Sequence, residues 1–320
     1  MTEITTVTGK LSADEMGRTL PHEHVAYGVP GWRIDKSVAP YDRDECRRRA
    51  VETLSRLREE FGLDTLFDAT MNDAGRDARL LRDVAEESGV SIVCSTGTYP
   101  ESRGSTTYFD QHRRLLGDVT DELEELFVTE LRDGIRDTGV RAGIVKVGSS
   151  NGEITDYDDA LLRAAARTQR RTGAPILTHT ESGTMGVEQA ETLLDAGANP
   201  DRTVIGHIDQ HDPEVQRELV EMGVRIGFDQ IGTNGDETDD DTRIERVASL
   251  CRDGYADRIL LSHDYIVNWL GRSVEVIYDD LDQWRPDRLF EYVVPELETA
   301  LSPDDVTTMT ETNPKRLFTA

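Results

Sequence analysis

Lys146 stands inside an apolar run, Ala142-Gly143-Ile144-Val145-Lys146-Val147-Gly148, in a chain that has only four lysines. Burying an unpaired ammonium is costly, so a lysine in such a run is either paired with an acid or no longer an ammonium. Other short apolar runs end in side chains that bind metals. His22-Glu23-His24 closes one, His179 another (Leu177-Thr178-His179-Thr180), and His207 a third (Val204-Ile205-Gly206-His207). A fourth runs Leu260-Leu261-Ser262-His263-Asp264, and of the seven histidines only His112 and His211 fall clearly outside the pattern. Imidazoles and a carboxylate gathered on divalent ions would support hydrolysis. Each residue taken alone reads more simply. A strand-end histidine usually packs or hydrogen-bonds, and an aspartate after a strand usually caps a helix. The conjunction is what carries weight.

Those runs must be positioned by something, and the chain alternates short apolar segments with longer amphipathic ones throughout. Strands are expected at 18–25, 63–70, 90–98, 142–147, 174–180, 203–208, 224–229 and 258–262. Helices are expected between them at 44–61, 77–88, 121–138, 156–172, 186–196, 213–222 and 242–253, with a C-terminal helix near 303–318. Many helices open on Asp, Ser or Thr, and Gly62, Gly89, Gly139, Gly173 and Gly223 sit at helix-to-strand joints where a left-handed cap fits. Eight strand–helix units in series imply an α/β fold, a (β/α)8 TIM barrel. We read residues 1–320 as one domain with long loops after strands 3, 7 and 8. An open doubly wound sheet is the alternative, but no Gly-x-Gly-x-x-Gly opens a helix after the first strand. In a barrel the active site lies at the carboxyl ends of the strands, where Lys146 and the histidines fall. Period-two alternation puts His22 and His24 on the inner face and turns Glu23 away.

Composition excludes several classes. With 36 basic and 63 acidic residues the net charge is −27, so nucleic acid and anionic membranes are not expected partners. The acids are scattered, apart from a dense stretch at 236–241, as in proteins of salt-loving organisms. No run is long enough to span a bilayer, and Met1-Thr2-Glu3-Ile4 has no signal-peptide character, so a cytoplasmic location is the default. Cys46, Cys94 and Cys251 are odd in number and far apart, and are expected as reduced thiols.

These residues resemble the phosphotriesterase branch of the amidohydrolase superfamily. The matching pieces are Thr19-Leu20-Pro21-His22-Glu23-His24, Ile144-Val145-Lys146-Val147, Thr178-His179-Thr180, Ile205-Gly206-His207 and Leu260-Leu261-Ser262-His263-Asp264. The ending Asn313-Pro314-Lys315-Arg316-Leu317-Phe318 is similar to that branch's C-terminal signature. The resemblance implies a binuclear metal centre and small-molecule hydrolysis. His22, His24 and Asp264 would hold the more buried ion, and His179 and His207 the more exposed one. Lys146, carboxylated by CO2, would bridge both. Zinc is the default, with manganese, cobalt or iron equally suited to mixed nitrogen and oxygen ligands. A bridging hydroxide would attack an ester-type carbonyl, with Asp264 taking its proton.

Substrate is carried less clearly. Tyr99 sits where lactonases of that family place a tyrosine near the metals. Gln230 stands where phosphotriesterases carry a histidine and many acyl-lactone hydrolases an arginine. The segment His207-Ile208-Asp209-Gln210 lacks the usual aspartate pair in register. A lactone, acyl or sugar, is therefore the leading substrate. An amide (N-acyl) or phosphoester substrate on the same site is the alternative, and a catalytically idle ligand-binding relative is the reading from another class. Trp269 and Arg272, with Tyr265, Tyr278, Trp284 and Arg285, are candidates for a substrate-facing lid, as is Gly31-Trp32-Arg33; packing against the rim is the plainer role for each. His211-Asp212 reads as a helix start, and His263 as a support for the eighth strand. The family commonly forms dimers, so the resemblance leaves a homodimer open, though nothing in the sequence shows one.

Overall fold

A computed structural model describes residues 2–104, 107–233, 238–271 and 282–320. An antiparallel hairpin, β1 (Glu3–Thr6) and β2 (Gly9–Ser12), precedes eight parallel strands. These are β3 (Arg18–Glu23), β4 (Leu63–Asp68), β5 (Ser91–Thr96), β6 (Ile144–Lys146), β7 (Ile176–Leu177), β8 (Thr203–Ile205), β9 (Arg225–Phe228) and β10 (Ile259–Leu261). They pair in sequence order from β3 to β10. The seam between β10 and β3 is closed by Asp264 N–H donating to His22 O (3.1 Å) and His24 N–H to Tyr265 O (2.9 Å). The result is the expected barrel, and all eight expected strands are present, each shorter than expected at one or both ends.

Among the described residues the α-helices are α1 (Arg43–Phe61), α2 (Ala78–Ser88), α3 (Thr107–Leu116), α4 (Thr120–Arg132), α5 (Asp156–Thr172), α6 (Gly186–Asp195), α7 (Pro213–Glu221), α8 (Asp240–Arg252), α9 (Val294–Ala300), α10 (Pro303–Thr307) and α11 (Asn313–Thr319). Asp77 caps α2 by accepting from Arg79 and Leu80 N–H, and Gly62, Gly89 and Gly173 end α1, α2 and α5 in the left-handed conformation, as the sequence suggests. Two expectations need correction. The fourth helix stops at Arg132 rather than Thr138, because Gly134 and Arg136 take positive φ (118° and 50°). The long loop after β5 contains α3, whose Tyr108, Leu115 and Leu116 are exposed, so it shows no buried stripe to read. The C-terminal helix is interrupted by a π turn at Thr308–Thr312, just ahead of Pro314, which has no N–H to continue the ladder. Among the described residues no helix is long and apolar enough to cross a membrane.

Two apolar layers build the barrel. Residues such as Leu66, Ile92, Val145, Ile176, Ile205, Ile226 and Leu261 face the helices. Inside, Phe67, Val93, Ile144, Leu177, Val204 and Leu260 form a plug with Ile4 and Met16 from the N-terminal segment and Leu317 and Phe318 from α11. Alternation then carries the next inward positions to the carboxyl end: Ile144 leads to Lys146 and Leu177 to His179. In β3 the alternation is reset. Leu20 lies in the outer layer, and a register shift between Leu20 and Glu23 brings His22 inward.

Candidate metal centre

Above the plug, six side chains from five strand ends converge. Asp264 Oδ1 lies 2.9 Å from His24 Nε2 and 3.5 Å from His22 Nε2, and its Oδ2 lies 3.8 Å from His207 Nε2. Lys146 Nζ is 3.0 Å from His22 Nε2 and donates to Thr178 O (2.7 Å). His179 Nδ1 and His207 Nε2 face each other at 2.8 Å. Every residue expected as a metal ligand is thus in one cluster. Gly97 (φ 144°) makes room for Lys146, since a Cβ there would lie 1.6 Å from the Lys146 carbonyl oxygen.

The orientation of each ring has a visible cause. Asp229, at the end of β9 and buried, receives His22 Nδ1–H on Oδ2 (2.6 Å). Its Oδ1 receives His207 Nδ1–H and the His207 backbone N–H, both at 2.8 Å. His24 Nδ1 bonds Thr70 Oγ1 at 2.8 Å, and His179 Nε2 bonds Glu181 Oε2 at 3.1 Å. A carboxylate only accepts, so these contacts put a proton on the outward nitrogen of each of His22, His179 and His207, and on His22 and His179, which burial keeps neutral, they leave the lone pair facing inward. His207 differs: against the effect of burial, the charges of Asp229 and Asp264 raise its imidazole above the ordinary value, so across the 2.8 Å contact its Nε2–H donates to His179 Nδ1, a proton that a cation would displace. That arrangement suits a divalent cation, and the nitrogen and oxygen donors fit one. His22, His207 and Asp229 also lie close enough to share an ion, but both Asp229 oxygens are already taken by ring N–H groups, so Asp229 orients the rings.

Glu23 points away from the interior, as alternation requires, and holds the seam. It accepts from Ser262 Oγ (2.8 Å), His263 N–H (2.9 Å), His263 Nδ1–H (2.8 Å) and Tyr265 N–H (2.8 Å). His263 Nε2 in turn accepts from Leu289 N–H (3.0 Å), so His263 is the expected support of the eighth strand. The turn at Asp264 has φ 55° and that at His207 φ 58°. Left-handed backbone at non-glycine residues is strained, and here it lies at two of the converging side chains.

Burial dominates the electrostatics. It lowers the His22 imidazole to about 4 and that of His179 to about 3, so both are neutral near pH 7. It also lowers the Lys146 amine to about 8, against the pull of Asp229 and Asp264. Burial alone would raise the Asp264 carboxyl, but the surrounding His22, His207 and His24 rings hold it well below the usual range.

The structure sorts the remaining candidates. Tyr99 meets the edge of His179 (ring centroids 6.0 Å apart), and Trp269 meets Tyr27 (5.4 Å), so both belong to an aromatic wall beside the cluster. Gln230 accepts from the amide of Gln210. Arg272 and Tyr278 lie outside the described residues. Trp284 donates to His263 O (2.9 Å), Arg285 pairs with Asp287 and Glu291, and Trp32 packs against Tyr41; these three hold the rim together. Sequence reading passed over Asp229, Glu181 and Tyr27. The place of Asp229 at the end of a barrel strand, two residues beyond an inward glycine, is the signal that could have found it. Tyr27, 5.4 Å from the His24 ring, offers only its nearness to His24 in sequence.

A model of the phosphotriesterase family matches residues 2–318. The chain is 31% identical over 323 residues to a phosphotriesterase homology protein of Mycobacterium tuberculosis, covering 99% of this chain and 98% of that one. It is 30% identical over 313 residues to an aryldialkylphosphatase of Saccharolobus solfataricus, covering 96% of each. Among solved structures, the organophosphorus hydrolase from Deinococcus radiodurans superposes with a TM-score of 0.94 at 43% identity, over 99% of this chain and 97% of that one. A mutant of a PTE-like lactonase from the same organism gives 0.94 at 42%, over 98% and 99%.

Proposed function

The chain belongs to the phosphotriesterase family, and from that premise we propose that it is a metal-dependent hydrolase of ester bonds whose foremost substrates are lactones. The convergence of His22, His24, Lys146, His179, His207 and Asp264 above the barrel plug carries this reading. In it, His22, His24 and Asp264 would hold one divalent ion and His179 and His207 the other. Lys146, once carboxylated by CO2, would be an oxygen donor to the centre in place of an ammonium. Zinc remains the first candidate. Bound there, the ions would bring the pKa of a water toward neutrality and polarise the scissile oxygen.

The chain's own residues supply the rest. Asp264 is the proton acceptor, since its side chain is 22% exposed whereas that of Asp229 is 3% and already saturated. Tyr99, Tyr27 and Trp269 form an apolar flank that would bind the body of the substrate and exclude water on that side. Gln230 and Gln210, joined amide to amide, place a neutral pair where a phosphotriesterase has an ionisable relay. A lactone asks less of such a relay, because its leaving alkoxide stays tethered to the acyl group. The likeness to a PTE-like lactonase supports the same choice.

The test is proton release in molar KCl with bicarbonate and Zn, Mn or Co. The panel holds acyl lactones, sugar lactones, N-acyl amino acids and an aryl phosphotriester. Lactones should turn over fastest, with activity lost in Lys146→Ala and strongly reduced in a folded Asp264→Asn. Faster turnover of another class would replace lactone as the substrate, and a near-wild-type rate in Asp264→Asn would remove Asp264 from the mechanism.

A further inference from the structure

Glu181 belongs to the turn that follows β7, and that turn is bent sharply. Ser182, Gly183 and Met185 all have positive φ (51°, 65° and 64°). Thr184 holds the bend, donating from N–H (3.1 Å) and from Oγ1 (2.7 Å) to Glu181 O, while its Oγ1 accepts from Gly152 N–H (2.9 Å). The Glu181 side chain returns toward the barrel axis. Its Oε2 takes His179 Nε2–H at 3.1 Å and also the Nε–H of Arg103, whose Nη2 donates to Oε1 at 2.6 Å. A two-point guanidinium–carboxylate contact fixes direction as well as charge.

Arg103 is itself placed. It ends a short helical turn, Glu101–Arg103, four residues after Tyr99. Glu101 N–H donates to Asp158 Oδ1 (2.9 Å) and Ser102 N–H to Ser150 Oγ (3.0 Å). Asp158, in the first turn of α5, also receives Ser150 N–H on Oδ2 (2.9 Å). The loops after β5, β6 and β7 are therefore one bonded platform, and the Arg103–Glu181 contact is its uppermost tie.

We propose that Glu181, clamped by Arg103, is a positioning residue that sets the affinity of the ion held by His179 and His207. The proposal rests on the metal centre argued above and adds a control point to it. The other rings are steered from within the fold, by Asp229 and Thr70, both buried. His179 alone among the four is steered from the rim, by a carboxylate whose partner Arg103 is 46% exposed in its side chain. With Glu181 in place, Nε2 keeps its proton and Nδ1 presents its lone pair toward His207. Without it the ring is free to turn or to change tautomer, and the lone pair leaves the cluster. Outer partners of metal-bound histidines typically change metal affinity by about 10–100-fold. Because the same platform carries Tyr99 against His179, movement of that loop by a substrate would be felt by this ion before the other.

The experiment is a chelator-competition titration of the zinc-loaded protein, with thermal unfolding of the metal-free form alongside. Wild type should hold two ions per chain. Glu181→Ala should weaken one ion by about 10–100-fold and leave the other unchanged. Glu181→Gln, which keeps an acceptor but loses the charge, should fall between, as should Arg103→Gln, with metal-free stability moved little in any of the three. A Glu181→Ala protein that keeps both ions at wild-type affinity overturns this inference alone, and so does one that weakens both ions equally. A wild type that holds fewer than two ions overturns the metal centre, and this inference with it.

Discussion

Replacing Asp229 with asparagine removes one charge and one acceptor while keeping the shape of the side chain. The carboxylate serves three N–H groups through two oxygens: Oδ1 takes His207 twice and Oδ2 takes His22 once. An amide has one oxygen. Placed at the Oδ1 position, it keeps both His207 bonds and turns its NH2 toward His22; placed the other way, it opposes two donors instead of one. The first orientation wins. His22 must then move its proton from Nδ1 to Nε2, which is the nitrogen that faces Lys146 and Asp264. To bind an ion it must give up the new tautomer and leave an amide donor buried without a partner. A 10–100-fold loss of affinity, about 1.4–2.8 kcal/mol, is the expected size. The loss should fall on the ion held by His22 and spare the one held by His179 and His207, the reverse of the pattern expected for Glu181. Metal stoichiometry against a graded chelator reads both. Equal loss of the two ions, or retention of both at wild-type affinity, would refute the argument that Asp229 works by fixing tautomers.

Four further outcomes follow from the structure and the sequence. Lys146 must be a free amine to take up CO2, so metal loading in bicarbonate should rise with pH through about 8 and be slow at pH 6; loading that ignores pH would count against the carbamate. Because burial lowers that amine to about 8 from its ordinary 10.5, the unfolded chain binds more protons between those values, and the metal-free protein should gain stability as pH rises from 8 to 10.5, a gain absent in Lys146→Met. In Gly227→Ala the new Cβ would lie 2.5 Å from Asp229 Oδ2, so unfolding should show a loss of about 1–3 kcal/mol together with weaker metal binding. A net charge of −27 should make the midpoint of thermal unfolding climb from dilute buffer to molar KCl, and an unchanged midpoint would remove the expectation of a salt-adapted surface.

The eight strands and their order could be read from the chain because each is a short apolar run between punctuated helices, and the parallel barrel follows from their repetition. The helix at Thr107–Leu116 could not, since Tyr108, Leu115 and Leu116 are exposed and only Phe109 among its large apolar residues packs against the core. The cluster of converging side chains was legible for a related reason. Period two within a strand is local, so the shared face of His22 and His24, and the inward place of Lys146, are properties of a few consecutive residues. Asp229 and Glu181 were not legible as partners of the histidines. Asp229 reaches His22 across 207 positions of chain, and Glu181 is gripped by Arg103 from 78 positions away.

The sequence by itself determined which side chains end the strands and hence which atoms can gather. The tertiary structure decided which nitrogen of each ring faces inward. An imidazole has two nitrogens of nearly equal standing, and only the acceptor that the fold sets behind one of them makes the other a ligand.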